Sequence, residues 1–329
     1  MRTLLLLLAL GTSAVHGADG SFETVYEPSG VTVLPDGQLI VVNDEAGTSL
    51  HRMRIETDGE ALSLVEQSIV SAPESFTTRW RLGPLDDLEG ACRDRHGRVF
   101  VTGSHNTKAG IDETDRRKLV RFRLNEDGMD EIVSRRDLRE DLLDALPLIR
   151  QAMQEGGKHD EQLDIEGLAC DRRRDRLLIG LRSPREGNRA IIVALTNPDA
   201  WLDEGDAPRF EQPIRTLDLD NGGIRAMGYD DGGDALLVVS RRESGKGGRY
   251  KAWWQDAAFQ DDPVELTLPD KRALDDVEGV TVLDDPAGVL FVRDDGNRHK
   301  RRSGTWFFVT RDALGLAVLT PESTSETPR

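Results

Sequence analysis

The chain has 329 residues, and its 43 Lys and Arg against 60 Asp and Glu give a formal net charge of −17 at pH 7. Repulsion from that excess opposes binding to a polyphosphate or to an anionic membrane surface, so nucleic acid is not an expected partner. Charged residues make up 31% and aromatic residues 5%, yet the apolar residues gather in short β-branched runs, which describes a globular chain with a solvated surface rather than a disordered one.

At the start, Met1-Arg2 and the apolar run from Thr3 to Leu10 read as the charged and apolar parts of a secretory signal, with cleavage expected after Gly17. The run is far short of the roughly 20 residues that a spanning helix needs, and no later stretch replaces it, so no membrane span is expected. No Cys follows the run to carry a lipid anchor. The expected organisation is a signal peptide over 1–17, one domain over 18–319 and a polar tail over 320–329, in a periplasmic or secreted protein.

A repeat then organises the chain. Asp87-Leu88-Glu89-Gly90, Asp164-Ile165-Glu166-Gly167 and Asp276-Val277-Glu278-Gly279 each precede two short apolar runs, and weaker copies stand at Glu27-Pro28-Ser29-Gly30 and Asp220-Asn221-Gly222-Gly223. In the first unit, turn residues separate strands expected at 31–34, 39–43, 49–55 and 61–70. Four strands per unit, recurring at this period, predict an all-β fold, a single five-bladed β-propeller, with six blades as the alternative if a long interval hides a degenerate unit. The last unit shows three strands, and Phe22-Glu23-Thr24-Val25-Tyr26 is expected to supply its fourth and so close the ring.

The long interval between the second and third repeats holds Leu138, Leu142, Leu143, Leu146, Ile149 and Met153 at helical spacing. It predicts a helical insertion over about 137–156, divided by Pro147 and ended by Gly156-Gly157. A polar stretch, Asn106–Lys118, is expected to form a loop near the same rim. Cys92 and Cys170 stand two and three residues after their repeat glycines, so they point to opposite faces of their strands. Two buried thiols are therefore expected in preference to a disulfide.

The first strand of a propeller blade lines the central channel, so Glu89, Glu166 and Glu278 should converge at one mouth. The second strands return there with Asn43-Asp44, Ser104-His105-Asn106, Arg182-Ser183, Arg241-Arg242 and Arg293-Asp294-Asp295. Crowded carboxylates repel unless a cation or basic side chains neutralise them. Glu89, Glu166, Glu278 and Asp294 are the candidate ligands of Ca2+ or Mg2+, and the lack of a His/Cys cluster argues against zinc. Arg182, Arg225 and Arg241 are candidates to hold an anionic or ester-type small ligand, with His105 as acid or base.

The stretches Leu88-Glu89-Gly90, Thr102-Gly103-Ser104-His105-Asn106, Ile165-Glu166-Gly167-Leu168, Leu178-Ile179-Gly180-Leu181-Arg182-Ser183-Pro184, Gly222-Gly223-Ile224-Arg225 and Arg293-Asp294-Asp295-Gly296 together resemble an uncharacterised bacterial propeller family, classed as a domain of unknown function. The resemblance spans most of the chain after the signal. It implies a secreted or periplasmic propeller without an established activity. More distantly, a Glu-Gly at the head of an inner strand is similar to calcium-dependent lactonase propellers, where that Glu is a metal ligand, and to esterase-like phytase propellers.

The chain has no Gly-x-Ser-x-Gly elbow, no phosphate-binding glycine loop ahead of a helix and no His-Glu-x-x-His, and no organic cofactor is expected. Trp253-Trp254 is expected to pack an outer strand. Two functions remain: a metal-assisted hydrolase of an ester, lactone or phosphate ester, and a non-catalytic propeller that binds a ligand or a protein partner.

Overall fold

The computed structural model describes residues 17–44, 50–58, 61–70, 87–107, 116–125, 128–156, 160–242, 249–268 and 274–316. Except for Gly17, the expected signal lies outside these residues, as do the tail and part of the Asn106–Lys118 loop. The apolar runs between turns form antiparallel four-stranded sheets. Blade 1 comprises β2 (Pro28–Val33), β3 (Leu39–Asn43), β4 (Leu50–Asp58) and β5 (Ala61–Val70). Blade 2 comprises β6 (Leu88–Arg93), β7 (Val99–Gly103), β8 (Leu119–Asn125) and β9 (Gly128–Arg135). Blade 3 comprises β10 (Asp164–Asp171), β11 (Arg176–Ser183), β12 (Ala190–Leu195) and β13 (Arg215–Leu217). Blade 4 comprises β14 (Gly223–Asp230), β15 (Ala235–Arg242), β16 (Arg249–Asp256) and the two-residue β17 (Val264–Glu265). Blade 5 comprises β18 (Val277–Asp284), β19 (Ala287–Arg293), β20 (Thr305–Thr310) and, from the start of the chain, β1 (Gly17–Ser21).

The fold is thus a five-bladed propeller, not a six-bladed one. Inner strands β2, β6, β10, β14 and β18 touch in succession around the axis, and β18 meets β2 to complete the ring. Five clusters of buried side chains each lie between two consecutive blades, so the stabilising apolar burial sits in the interfaces rather than inside any one sheet.

The closing strand differs from the expected one. Residues 17–21 pair with 305–309, whereas Phe22 and Val25 are the buried residues of the following stretch, a spacing of three that no strand produces. Phe22 N donates to Gly304 O at 3.0 Å and Gly304 N to Val25 O at 2.9 Å, so this stretch is a crossing segment from the outside of blade 5 to the inside of blade 1.

The insertion forms α1 (Leu138–Ala145) and α2 (Pro147–Glu155), with Pro147 in the first turn of the second helix, where its missing N–H costs nothing. Leu138, Leu142, Leu146 and Ile149 are buried in the cluster between blades 2 and 3.

Cys92 and Cys170 form a disulfide, with Cα atoms 5.6 Å apart. The expectation of two thiols is overturned because the parity argument treated both strands as if they belonged to one sheet. Ala91 faces blade 1 and Cys92 faces blade 3; Ala169 faces blade 4 and Cys170 faces blade 2. Opposite faces of consecutive blades are the ones that meet. Trp253 lies buried on β16 and its indole N–H donates to Ser240 Oγ at 2.8 Å.

Candidate functional site at the channel mouth

Each inner strand breaks its ladder at the same place, and β10 also slips one step earlier, between Asp164 and Ile165. The register slips between Pro28 and Gly30, Leu88 and Gly90, Ile165 and Gly167, Ile224 and Ala226, and Val277 and Gly279. The extra residue of a bulge is left unpaired and its side chain is re-aimed. The five bulged residues are Ser29, Glu89, Glu166, Arg225 and Glu278, which form a ring around one mouth. The glycine after the bulge permits close approach: a Cβ on Gly90 would meet Leu168 Cβ at 2.8 Å, and one on Gly279 would meet Gly30 Cα at 2.9 Å.

This register corrects the fourth repeat. Its equivalent of Asp87-Leu88-Glu89-Gly90 is Gly223-Ile224-Arg225-Ala226, three residues after the copy expected at Asp220. No head acid fits there, because a Cβ at Gly223 would lie 2.2 Å from the backbone oxygen of Arg182. One member of the carboxylate ring is thereby a guanidinium.

Arg225 is buried and joins two neighbouring blades: it donates to Glu166 at 2.8 Å and also pairs with Glu278. Arg182 adds a second cation, donating to Glu166 at 2.7 Å and approaching Asp164 at 3.4 Å. Two of the three expected Glu ligands are therefore neutralised by protein side chains on the side of blades 3 to 5.

The opposite side carries more acid than compensating charge. Asp44, Asp87 and Glu89 place carboxylate oxygens within 4.8 Å of one another. Asp44 follows β3, where its N–H donates to Glu27 O at 2.9 Å, and Asp87 heads β6. Burial, then the Asp87 charge and a hydrogen bond to it, push Asp44 up to about 8. Glu89 is held well above the usual carboxylate range by burial, and then by Glu166, Asp44, Asp87 and Asp164. Asp87 is anchored by Arg116 at 2.7 Å and by the Ser104 hydroxyl.

Asp294 borders this group. Burial and then Glu27 raise it to about 6, and its N–H donates to Asp276 O at 2.8 Å. Asp164 is raised to about 7 by burial and then by Glu166, and accepts from Asn106 Nδ2 at 3.1 Å. His105 is not brought to the carboxylates. Its left-handed backbone, φ 57°, turns the ring into the interior, where both nitrogens lack partners. Burial, then Arg139 and Arg117, lower it to about 3.

Sequence reasoning placed Asp44 and Asp87 at the mouth but left both out of the ligand set. The available signal was positional: Asp44, Ser104 and Asp294 each follow a second strand and each donate to the head residue of their own blade.

No helix among the described residues is long and apolar enough to cross a membrane. Among solved structures, the fold is similar to a calcium structure of Trichoderma reesei Carbohydrate-Active Enzymes Family AA12, at 10% identity and TM-score 0.45, covering 90% of this chain and 96% of that one. It is also similar to the PQQ-bound aldose sugar dehydrogenase of Streptomyces coelicolor, at 15% identity and TM-score 0.41, covering 89% and 98%. A protein described as a gluconolactonase matches at 13% identity and TM-score 0.39, covering 84% and 72%. No curated protein sequence matches the chain. The model of one family spans residues 130–307, from the last strand of blade 2 into blade 5, and the chain belongs to that family, described as Protein of unknown function (DUF3616).

Proposed function

We propose that the mouth of the propeller holds a divalent cation of the Ca2+ class on Asp44, Asp87 and Glu89, and that it is the active site of a hydrolase acting on an ester, lactone or phosphate ester. The observation that carries this reading is the spacing of the three carboxylates, whose oxygens lie within 4.8 Å of one another. Oxygens on opposite sides of a Ca2+ ion, each at about 2.3–2.6 Å, stand roughly 5 Å apart. Arg116 offsets the charge of Asp87, but half-buried Asp44 and buried Glu89 beside it remain costly as anions without a further cation, since Arg225 pairs with Glu166 and Glu278 elsewhere in the ring.

Bound there, the cation would polarise a carbonyl or phosphoryl oxygen. Arg182, which is 34% exposed, faces the mouth from blade 3 and suits an anionic part of the ligand. Asp164, at about 7, suits proton transfer near neutrality better than His105, which is sealed off. Arg225 holds the ring together through Glu166 and Glu278 and does not reach for substrate.

The disulfide between Cys92 and Cys170 supports placing the protein in an oxidising compartment, in line with the signal-like start of the chain. The seclusion of His105 favours a second reading, a cation-dependent binding site without turnover. Hydrolysis of a panel of lactones, aryl esters and phosphate esters, with Ca2+ or EDTA, separates the two. Ca2+-dependent turnover of one class supports the hydrolase. Tight Ca2+ binding without turnover across the panel supports the binding site.

A further inference from the structure

Beside the mouth lies a second feature with a built wall. A cavity of about 440 Å³ opens between α2 and the loops of blades 3 and 4. This is within the size of small-molecule sites, roughly 300–1,000 Å³. Leu148, Gln151, Ala152 and Glu155 line one side at helical spacing, so a single face of α2 forms that wall. Arg185, Asn188 and Asn221 stand opposite.

Arg185 is fixed rather than free to meet an anion. Its guanidinium donates to Asp160 at 2.9 and 3.2 Å and to the backbone and side-chain oxygens of Asn221 at 2.7 and 2.9 Å. The backbone N–H of Arg185 also donates to Asp160, at 3.0 Å. This unit of buried Asp160 with half-buried Arg185 and Asn221 holds the loops in place at the edge of the cavity. The same chain segments serve the mouth: Asp160 is four residues before Asp164, Arg185 three after Arg182, and Asn221 two before Gly223.

The geometry points to this crevice as the subsite for a neutral, hydroxyl-rich part of the ligand, a glycosyl or polyol group. The chemistry of the lining selects it. Gln151 Nε2 donates to Glu155 at 2.8 Å and Asn221 Oδ1 accepts from Arg185 at 2.9 Å, but an amide has two N–H donors and two acceptor lone pairs, so the other positions of Gln151, Asn188 and Asn221 suit hydroxyl groups, which both donate and accept. An anion would find Arg185 already neutralised and would meet Glu155 and Glu186. A long apolar ligand would find only Leu148 and Ala152, far less than the predominantly apolar wall it requires. The inference deepens the hydrolase reading by naming a substrate class, and rests on it only for the crevice's place beside a reacting centre.

The test is calorimetric titration of the full chain with maltose, cellobiose and lactose, with glucuronate and decanoate as controls, followed by Ca2+ titration of the same samples. Gln151→Trp fills the crevice from an exposed helix position. Asn221→Gly removes one amide at a backbone φ of 63° that glycine adopts freely. At least one disaccharide should bind better than either control, and both variants should weaken it by about tenfold or more with Ca2+ affinity unchanged. No binding of any disaccharide up to roughly 10 mM, or equal binding by Gln151→Trp, would overturn the inference. Disaccharide binding without any Ca2+ binding would support the crevice and sink only the metal reading of the mouth.

Discussion

Arg225 lies 2.8 Å from Glu166, and both occupy the bulge of their inner strand, one blade apart. The same guanidinium reaches Glu278 of the next blade. A pseudo-symmetric ring of five equivalent positions thus carries its own counterion, and the symmetry is broken at the position where the charge needs it.

Removing that counterion leaves two carboxylates buried without it. Arg225→Met is expected to destabilise the protein by about 3–5 kcal/mol, the usual cost of breaking a buried pair. Adding Glu166→Gln and Glu278→Gln should recover much of this loss. Denaturant unfolding measures both; a loss below about 1 kcal/mol for the single variant would mean that the bridge contributes little.

The disulfide joins the inner strands of blades 2 and 3 across 78 residues. Its removal by Cys92→Ser with Cys170→Ser should cost about 2–5 kcal/mol. Thiol titration in denaturant should find no free thiol before reduction and two after it. Two reactive thiols in the unreduced protein would remove the clasp from the account.

Close approach between blades predicts a steric effect with no change in charge. Gly223→Ala would put a Cβ 2.2 Å from the Arg182 backbone oxygen, which cannot rotate away as a side chain could. A loss of about 1–3 kcal/mol is expected, against almost none for Gly187→Ser at an open turn, apart from its left-handed backbone cost. Comparable losses at both positions would show that backbone conformation, not blade contact, dominates.

The fold was legible where repetition is chemical. Asp-x-Glu-Gly at three places set the architecture, and Leu138, Leu142 and Ile149 exposed the helical insertion by their spacing. The fourth repeat was misplaced because Gly223-Ile224-Arg225-Ala226 keeps the backbone bulge while sharing only the apolar second residue. Backbone register leaves no trace in side-chain identity when sterics remove the acid and electrostatics invert the charge. The cysteine pair was misread because period-two parity fixes a face but not which blade lies against it. Phe22–Tyr26 contains a strand-like alternation of types, yet the segment is fixed by its exchange of hydrogen bonds with Gly304, a partner nearly the whole chain away. In the site, the meeting of Asp44 with Asp87 and Glu89 depends on two adjacent blades and could not be read from either alone.

The raised carboxylates predict a pH dependence with a definite sign. Asp44 at about 8, Asp164 at about 7 and Asp294 at about 6 all lie above their value in an unfolded chain, so the folded protein binds more protons than the unfolded one between about pH 4 and 8. Stability in EDTA should therefore fall as pH rises through that window. Saturating Ca2+ should reduce the slope, because the ion replaces the proton held by Asp44. Melting temperatures at several pH values, with and without Ca2+, read this directly; a slope of the opposite sign in EDTA would contradict the burial of these groups.

Whether Asp44, Asp87 and Glu89 are cation ligands is read by Ca2+ titration of EDTA-stripped protein in a calorimeter, with Asp44→Asn and Glu89→Gln beside the unaltered chain. One ion per chain is predicted, with affinity reduced by about tenfold or more in each variant, since each removes one charged ligand. Absence of binding by the unaltered protein, or binding that neither substitution weakens, would contradict that role.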